Sequence, residues 1–164
     1  AGGVSPAPDP LRGALAGLAA GIAASLVMDA FQAGLSRLSS DDKQDESEPA
    51  TAKVADRVSE AAVGEPVADG YKPLASNAVH YGFGALLGLG YGIAAEYWPR
   101  AAVGRGTAFG AASALVFDEA AVPAAGLGDP PWKAGPSSHL YALSSHLVFG
   151  GAAEGVRRLV RAAI

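Results

Sequence analysis

The stretch "LRGALAGLAAGIAASLVMDAFQAGL", residues 11–35, decides the fold. After Arg12 it holds one charge, Asp29, in an otherwise apolar, Ala- and Gly-rich run. It is long enough for a helix to cross the roughly 30 Å hydrocarbon core of a bilayer. A helix of a soluble bundle should show a polar face, and this run has none. A signal peptide is shorter than this and does not place an acid deep in its apolar region.

Three further runs read the same way. Leu74 to Trp98 is broken only by His80 and, near its end, Glu96. Gly106 to Val122 is broken by Asp118 and Glu119, and Leu140 to Val156 by His146 and Glu154. The expectation is an all-α, polytopic membrane protein in one domain, residues 1–164. Four transmembrane helices, at about 11–35, 74–98, 103–123 and 139–158, form two repeated helical hairpins. The extramembrane loop 36–73 begins with an acidic stretch, Ser39 to Glu48, that reads as solvated. It continues with "PATAKVADRVSEAAVG", residues 49–64, whose apolar spacing and terminal Gly64 predict a short amphipathic helix on the membrane surface or over the bundle mouth. Trp132, in a Pro/Gly-rich loop, suits the interfacial belt.

Orientation follows from the basic residues beside helix ends. Arg12, Arg100, Arg105, Arg157, Arg158 and Arg161 share the face that holds both termini. That favours a bacterial inner-membrane, multi-pass protein with both termini in the cytoplasm.

An internal repeat underlies the hairpins. Gly21-Ile-Ala-Ala-Ser-Leu-Val-Met-Asp29 matches Gly110-Ala-Ala-Ser-Ala-Leu-Val-Phe-Asp118, and His80-Tyr-Gly-Phe-Gly84 matches His146-Leu-Val-Phe-Gly150. Each hairpin therefore contributes one Asp and one His in the same order, as a pseudo-two-fold axis along the membrane normal would generate. Steps of four lead from Gly13 through Gly17, Gly21 and Ser25 to Asp29, and from His80 through Gly84 and Gly88 to Gly92. Residues four apart stack on one side of a helix, and small-residue stripes are packing faces in membranes. Asp29, His80, Asp118 and His146 thus point inward. Each lies five or six residues from the same end of its run, about 8–9 Å below the loop-bearing face. His139, seven residues before His146, lines the entrance in this reading. Glu119, rotated about 100° from Asp118, sits at a helix seam.

Four chemistries remain open for this group. Two imidazoles and two carboxylates suit a transition-metal ion such as Zn²⁺, Fe²⁺ or Mn²⁺ at Asp29, His80, Asp118 and His146. His80 and His146 also suit axial ligation of haem b, with the carboxylates orienting them. Asp–His pairs near a water-accessible face are material for proton or ion handling. The bland reading is polar glue between helices, worth only about 0.6 kcal/mol on average.

Other classes are excluded. There is no cysteine, hence no disulfide or thiolate site. The formal net charge of −4, without Lys/Arg clusters interleaved with aromatics, leaves no nucleic-acid footprint. No Gly-x-Ser-x-Gly elbow or Walker loop points to an enzyme. The implied partners are the lipid bilayer and, through the Gly-rich helix faces, membrane proteins or further copies of the chain, which makes an accessory subunit of a larger membrane complex the rival function.

The segments "GLAAGIAASLVMDAFQ", "PATAKVADRV", "LVFDEAAVPAAGL" and "SHLVFGGAAEG" resemble the YagU-like family of uncharacterised bacterial inner-membrane proteins. That resemblance implies a four-helix inner-membrane protein and a link to acid tolerance, and supplies no catalytic residues.

Overall fold

The computed structural model of the chain describes residues 7–38 and 48–164. Its main elements are α1 (Pro10–Leu38), α2 (Ala50–Val63), α3 (Lys72–Tyr97), α4 (Thr107–Ser113), a π-wound segment (Ala114–Ala121), α5 (Val122–Ala124) and α6 (Pro136–Ala163). Among the described residues there is no strand. The acidic stretch 39–47, expected as a solvated loop, lies outside the described residues.

Local chemistry sets the helix ends. Asp9 Oδ1 accepts from the backbone N–H groups of Leu11 and Arg12 at 3.1 and 3.0 Å, capping α1 behind Pro10. The expected amphipathic helix is α2, stopped by Gly64 in the left-handed conformation (φ 85°), whose N–H bonds the Glu60 carbonyl. α3 ends at Trp98 because Pro99 follows it.

The next connection is longer than its sequence promises. A 3-10 stretch, Pro99–Gly106, carries positive φ at Gly104, Arg105 and Gly106 before α4 begins at Thr107. The third apolar run is therefore no single α-helix from 103 to 123. It is α4, then a π-wound turn, then α5. Two helices, Pro10–Leu38 and Asp69–Tyr97, are long and apolar enough to cross a membrane. Among the described residues these are the two of the four expected runs that have that length and apolarity. The third run is broken, and α6 carries Glu154, Arg157, Arg158 and Arg161 in its second half.

α1 lies between α3 and α6, while α4 packs on α6 and α2 on α3. The α1–α3 seam is made of backbone. A Cβ on Gly17 would collide with the Gly88 carbonyl, one on Gly21 with that of Gly84, and one on Gly92 with that of Gly13. In the second hairpin Gly106 abuts Gly150, and Gly110 abuts the His146 carbonyl. Such contact is possible only because the glycine facing the neighbouring backbone carries no side chain.

The distribution of bulk is inverted relative to a soluble bundle. Ala16, Ala20 and Ala24 are 0% exposed on the inner face of α1, while Leu11 and Leu26 on the same helix are 69% and 58% exposed. Leu74, Leu86, Leu115, Leu140 and Leu143 also face outward. Small residues fill the seams and large apolar ones form the perimeter.

Candidate functional site

One cavity of about 760 Å³ opens inside the helix assembly, at the end away from the termini. α1, α2, α3, the π-wound segment and α6 all contribute to its wall. Asp29, His80, Asp118 and His146, predicted to face inward, all line it. The stripes of four explain Asp29 and His80: the glycine seam holds the backbones of α1 and α3 together, so the polar residue at the end of each stripe meets open space.

Within the cavity the four residues form two pairs. His80 Nε2 stands 3.1 Å from Asp29 Oδ1, and His146 Nε2 stands 2.9 Å from Asp118 Oδ2. Each pair joins the Asp and the His of one hairpin. The Asp29–His80 contact is close without being an aligned hydrogen bond, since His80 Nε2 has no hydrogen-bond partner among the described residues. Tyr81 Oη donates to the other Asp29 oxygen at 2.6 Å. Leu147 takes the place of Tyr81 in the second hairpin, so only one pair has this third member.

The four residues expected to share one metal centre stand in this structure as these two pairs. Among the described residues no three His, Asp or Glu side chains stand close enough to hold one metal ion. The Nε2 atoms of His80 and His146 both face carboxylates, and the four groups share one wall of the cavity.

Glu119 and His139 also find each other. His139 Nδ1 lies 2.6 Å from Glu119 Oε1, and its Nε2 lies 3.0 Å from the Pro131 carbonyl. Neither residue lines the cavity. Glu119 is therefore at a helix seam as expected, and His139 is a clamp rather than an entrance residue. Asp118 and Glu119, adjacent in the π-wound segment, both meet histidines of α6, which stand seven residues apart on that helix. π turns of this kind recur at functional sites. All three histidines of the chain thus have a carboxylate partner.

Sequence reasoning missed the hydroxyls. Ser25 and Ser145 are 0% exposed, line the cavity, and have no hydrogen-bond partner among the described residues. Ser25 was visible on the stripe leading to Asp29, but its lack of a partner is a property of packing. Together with His80 Nε2 and His146 Nδ1, these are the buried side-chain polar atoms left unpartnered among the described residues, and all sit on this one wall. Met28, Phe83, Leu87, Phe117 and Phe149 give the wall an apolar and aromatic part, and Gln32, Thr51, Ser76, Asn77 and Tyr141 add neutral polar groups. No Lys or Arg lines it.

α2 covers the mouth. Its residues Thr51 and Val54 line the cavity. Thr51 and Ser76 hydroxyls are 2.6 Å apart, Lys53 Nζ donates to the Leu127 carbonyl at 3.0 Å, and an Arg57 Nη donates to the Ala125 carbonyl at 2.8 Å. Lys72 ties the helix down through Asp56 and holds Glu48 just before it. The opposite end is sealed by ion pairs. Glu154, 1% exposed, accepts from Tyr91 Oη at 2.7 Å, from Arg157 and from Arg158. Glu96 binds Arg161 through two hydrogen bonds of 2.6 and 3.1 Å and accepts from the Asp9 backbone N–H.

Comparison with known proteins adds a family without a function. No curated protein and no solved structure matches the chain. The family described as "Protein of unknown function (DUF1440)" matches residues 55–154, a range that contains His80, Asp118 and His146 but stops short of Asp29. By that match, which covers more than half of its length, the chain belongs to the DUF1440 family.

Proposed function

We propose that the protein is a multi-pass integral membrane protein, YagU-like and of the bacterial inner membrane, that binds and releases a cation in its Asp–His chamber. In this reading all four apolar runs cross the bilayer, both termini are cytoplasmic, and the chamber opens toward the opposite face beneath α2. The inverted packing supports the membrane assignment: exposed Leu around a core of Ala and Gly is favourable only where lipid covers the perimeter. The arginines beside the helix ends at the face of the termini support the orientation.

The observation that carries the function is the meeting of Asp29 and Asp118 on one cavity wall that has no Lys or Arg. The Asp29 and Asp118 side chains are partly withdrawn from water, at 41% and 37% exposure, and a carboxylate drawn out of water is costly unless something compensates its charge. Each faces one imidazole, joined at Asp29 by the Tyr81 hydroxyl, and no Lys or Arg, which leaves the place of a compensating cation open. Inorganic cations such as Zn²⁺, Fe²⁺ or Mn²⁺ fit this reading at either pair, with water completing the shell, better than one ion shared by four ligands. Carbodiimide labelling of the purified protein tests it. Asp29 and Asp118 should label, and at least one cation among Mn²⁺, Zn²⁺ and organic ammonium ions should slow the labelling; indifference to every cation would sink the proposal.

A second reading, the accessory subunit, draws on α6. Gly151 and Gly155 lie four apart with open space over both, a spacing that suits close approach of a partner helix. Cross-linking from Gly151→Cys in membranes, with and without overexpression of the chain alone, tests that separately.

A further inference from the structure

We infer that the chamber takes an organic cation with an apolar body, such as a protonated amine or quaternary onium carrying rings or a short chain. The inference rests on the cation-binding reading above and narrows it by the character of the wall. A site for a bare metal ion gathers oxygen and nitrogen donors around a point, and no such gathering exists among the described residues. The cavity of about 760 Å³ falls instead within the roughly 300–1,000 Å³ typical of sites that enclose a small organic molecule.

Its lining has the composition such a molecule needs. Two carboxylates supply the opposite charge, and the absence of Lys and Arg from the wall leaves nothing to repel a cation. Phe83 and Phe117 meet edge to face with ring centroids 4.8 Å apart, and Phe149 stands beyond His146. Aromatic faces attract onium groups more strongly than they attract hydrated inorganic ions. Met28 and Leu87 add an adaptable apolar surface for the body of the ligand.

The unpartnered atoms point the same way. Ser25 Oγ and Ser145 Oγ are fully buried without partners, and His146 Nδ1 is buried beside them on the wall. Native proteins leave few such atoms, and each calls for a cause. Ser25 Oγ packs against Gly84 and, like Ser145 Oγ and His146 Nδ1, presents no free surface to the chamber, so a ligand N–H or hydroxyl pairs with these atoms only once a side-chain rotation has turned them toward it.

Equilibrium binding to the full chain in lipid nanodiscs, with empty discs subtracted, tests the assignment. The probes are tetraphenylphosphonium, a benzyl-substituted amine, its uncharged amide and Mn²⁺. Saturable binding of the two organic cations is expected, weakened about tenfold or more in Asp29→Asn and Asp118→Asn. A loss of a few fold is expected in Phe117→Leu, whose apolar volume keeps the fold. Equal binding of the amide would overturn the charge recognition. Protection of Asp29 and Asp118 from carbodiimide by Mn²⁺, with no binding of either organic cation, would overturn the ligand class and leave cation binding standing. Protection by none of the probes would remove both. Should an Asn variant fail to fold, Ser25→Ala and Ser145→Ala together provide the same comparison.

Discussion

Glu119 Oε1 and His139 Nδ1 stand 2.6 Å apart and fasten the π-wound segment to the first turns of α6. The other ring nitrogen of His139 is held by the Pro131 carbonyl, so this imidazole is fully satisfied. His80 and His146, by contrast, each keep a nitrogen without a hydrogen-bond partner. The contrast separates a clamping histidine from the two that line the proposed site. His139→Ala should lower the melting temperature of the detergent-purified protein modestly and leave binding of organic cations unchanged. His146→Ala should weaken binding several fold. A binding loss in His139→Ala as large as that in His146→Ala would show that the clamp belongs to the site.

The glycine seam makes a sharper stability prediction. A Cβ on Gly88 would collide with the carbonyl of Gly17 and crowd the Gly21 backbone, whereas one on Gly90, two residues away on α3, meets nothing within 4 Å. Gly88→Ala should therefore destabilise by about 1–3 kcal/mol through overpacking. Gly90→Ala should be neutral, or stabilising by up to about 1 kcal/mol through helix propensity. Thermal unfolding of the two variants side by side is the measurement, and equal effects would refute the backbone-contact account.

Much of the candidate site is legible along the chain, for a physical reason. Ionisable residues are rare in apolar runs, and glycine spaced by four marks the face on which they sit, so Asp29 and His80 could be aimed inward from spacing alone. The hairpin repeat likewise predicts that each hairpin supplies one Asp and one His. What spacing cannot convey is winding and distance. Nothing in Leu115-Val-Phe-Asp-Glu-Ala-Ala121 announces a π turn, so Glu119 could not be assigned to His139. Depth arguments bring four groups to one level but cannot tell one cluster from two pairs. Glu154 reads as a boundary residue, yet it is buried, because its guanidinium and phenol partners come from one turn onward in α6 and from distant Tyr91.

Glu154 therefore sets the stability of the end opposite the chamber. Its carboxylate is held by Arg157, Arg158 and the Tyr91 hydroxyl. Removing one member of a buried charged cluster strands the rest, at about 3–5 kcal/mol. Glu154→Gln should lower stability by about that much, while Arg158→Ala, whose side chain is more than half exposed, should lower it by less than about 1 kcal/mol. Chemical or thermal unfolding in one detergent checks both, and a neutral Glu154→Gln would mean that the cluster adds nothing.

α2 is attached to the rest of the fold by few groups, which makes its mobility separable. Lys53 and Arg57 reach the carbonyls of Leu127 and Ala125, at the turn where α5 ends. The double variant Lys53→Ala/Arg57→Ala should raise amide hydrogen exchange across residues 50–63 by at least several fold and leave α1 and α3 protected. Faster ligand entry and exit should accompany it, since Thr51 and Val54 cover the cavity mouth. Unchanged exchange in α2 would show that its apolar face, not these tethers, holds it down.

The hydroxyls of Ser25 and Ser145 put function and stability in opposition. Each is fully buried and unpartnered among the described residues. A hydroxyl in that state opposes folding by about 1–3 kcal/mol relative to a methyl group of the same place. Ser25→Ala and Ser145→Ala should accordingly raise the melting temperature of the ligand-free protein, each by up to a few degrees. The same substitutions should weaken binding of a hydrogen-bonding organic cation, because the ligand loses the partner that the fold never supplied. Hydroxyls kept for structure give the reverse pattern, a lower melting temperature with binding intact. Measuring both quantities on the two variants decides between a wall that waits for a ligand and a wall that merely contains two serines.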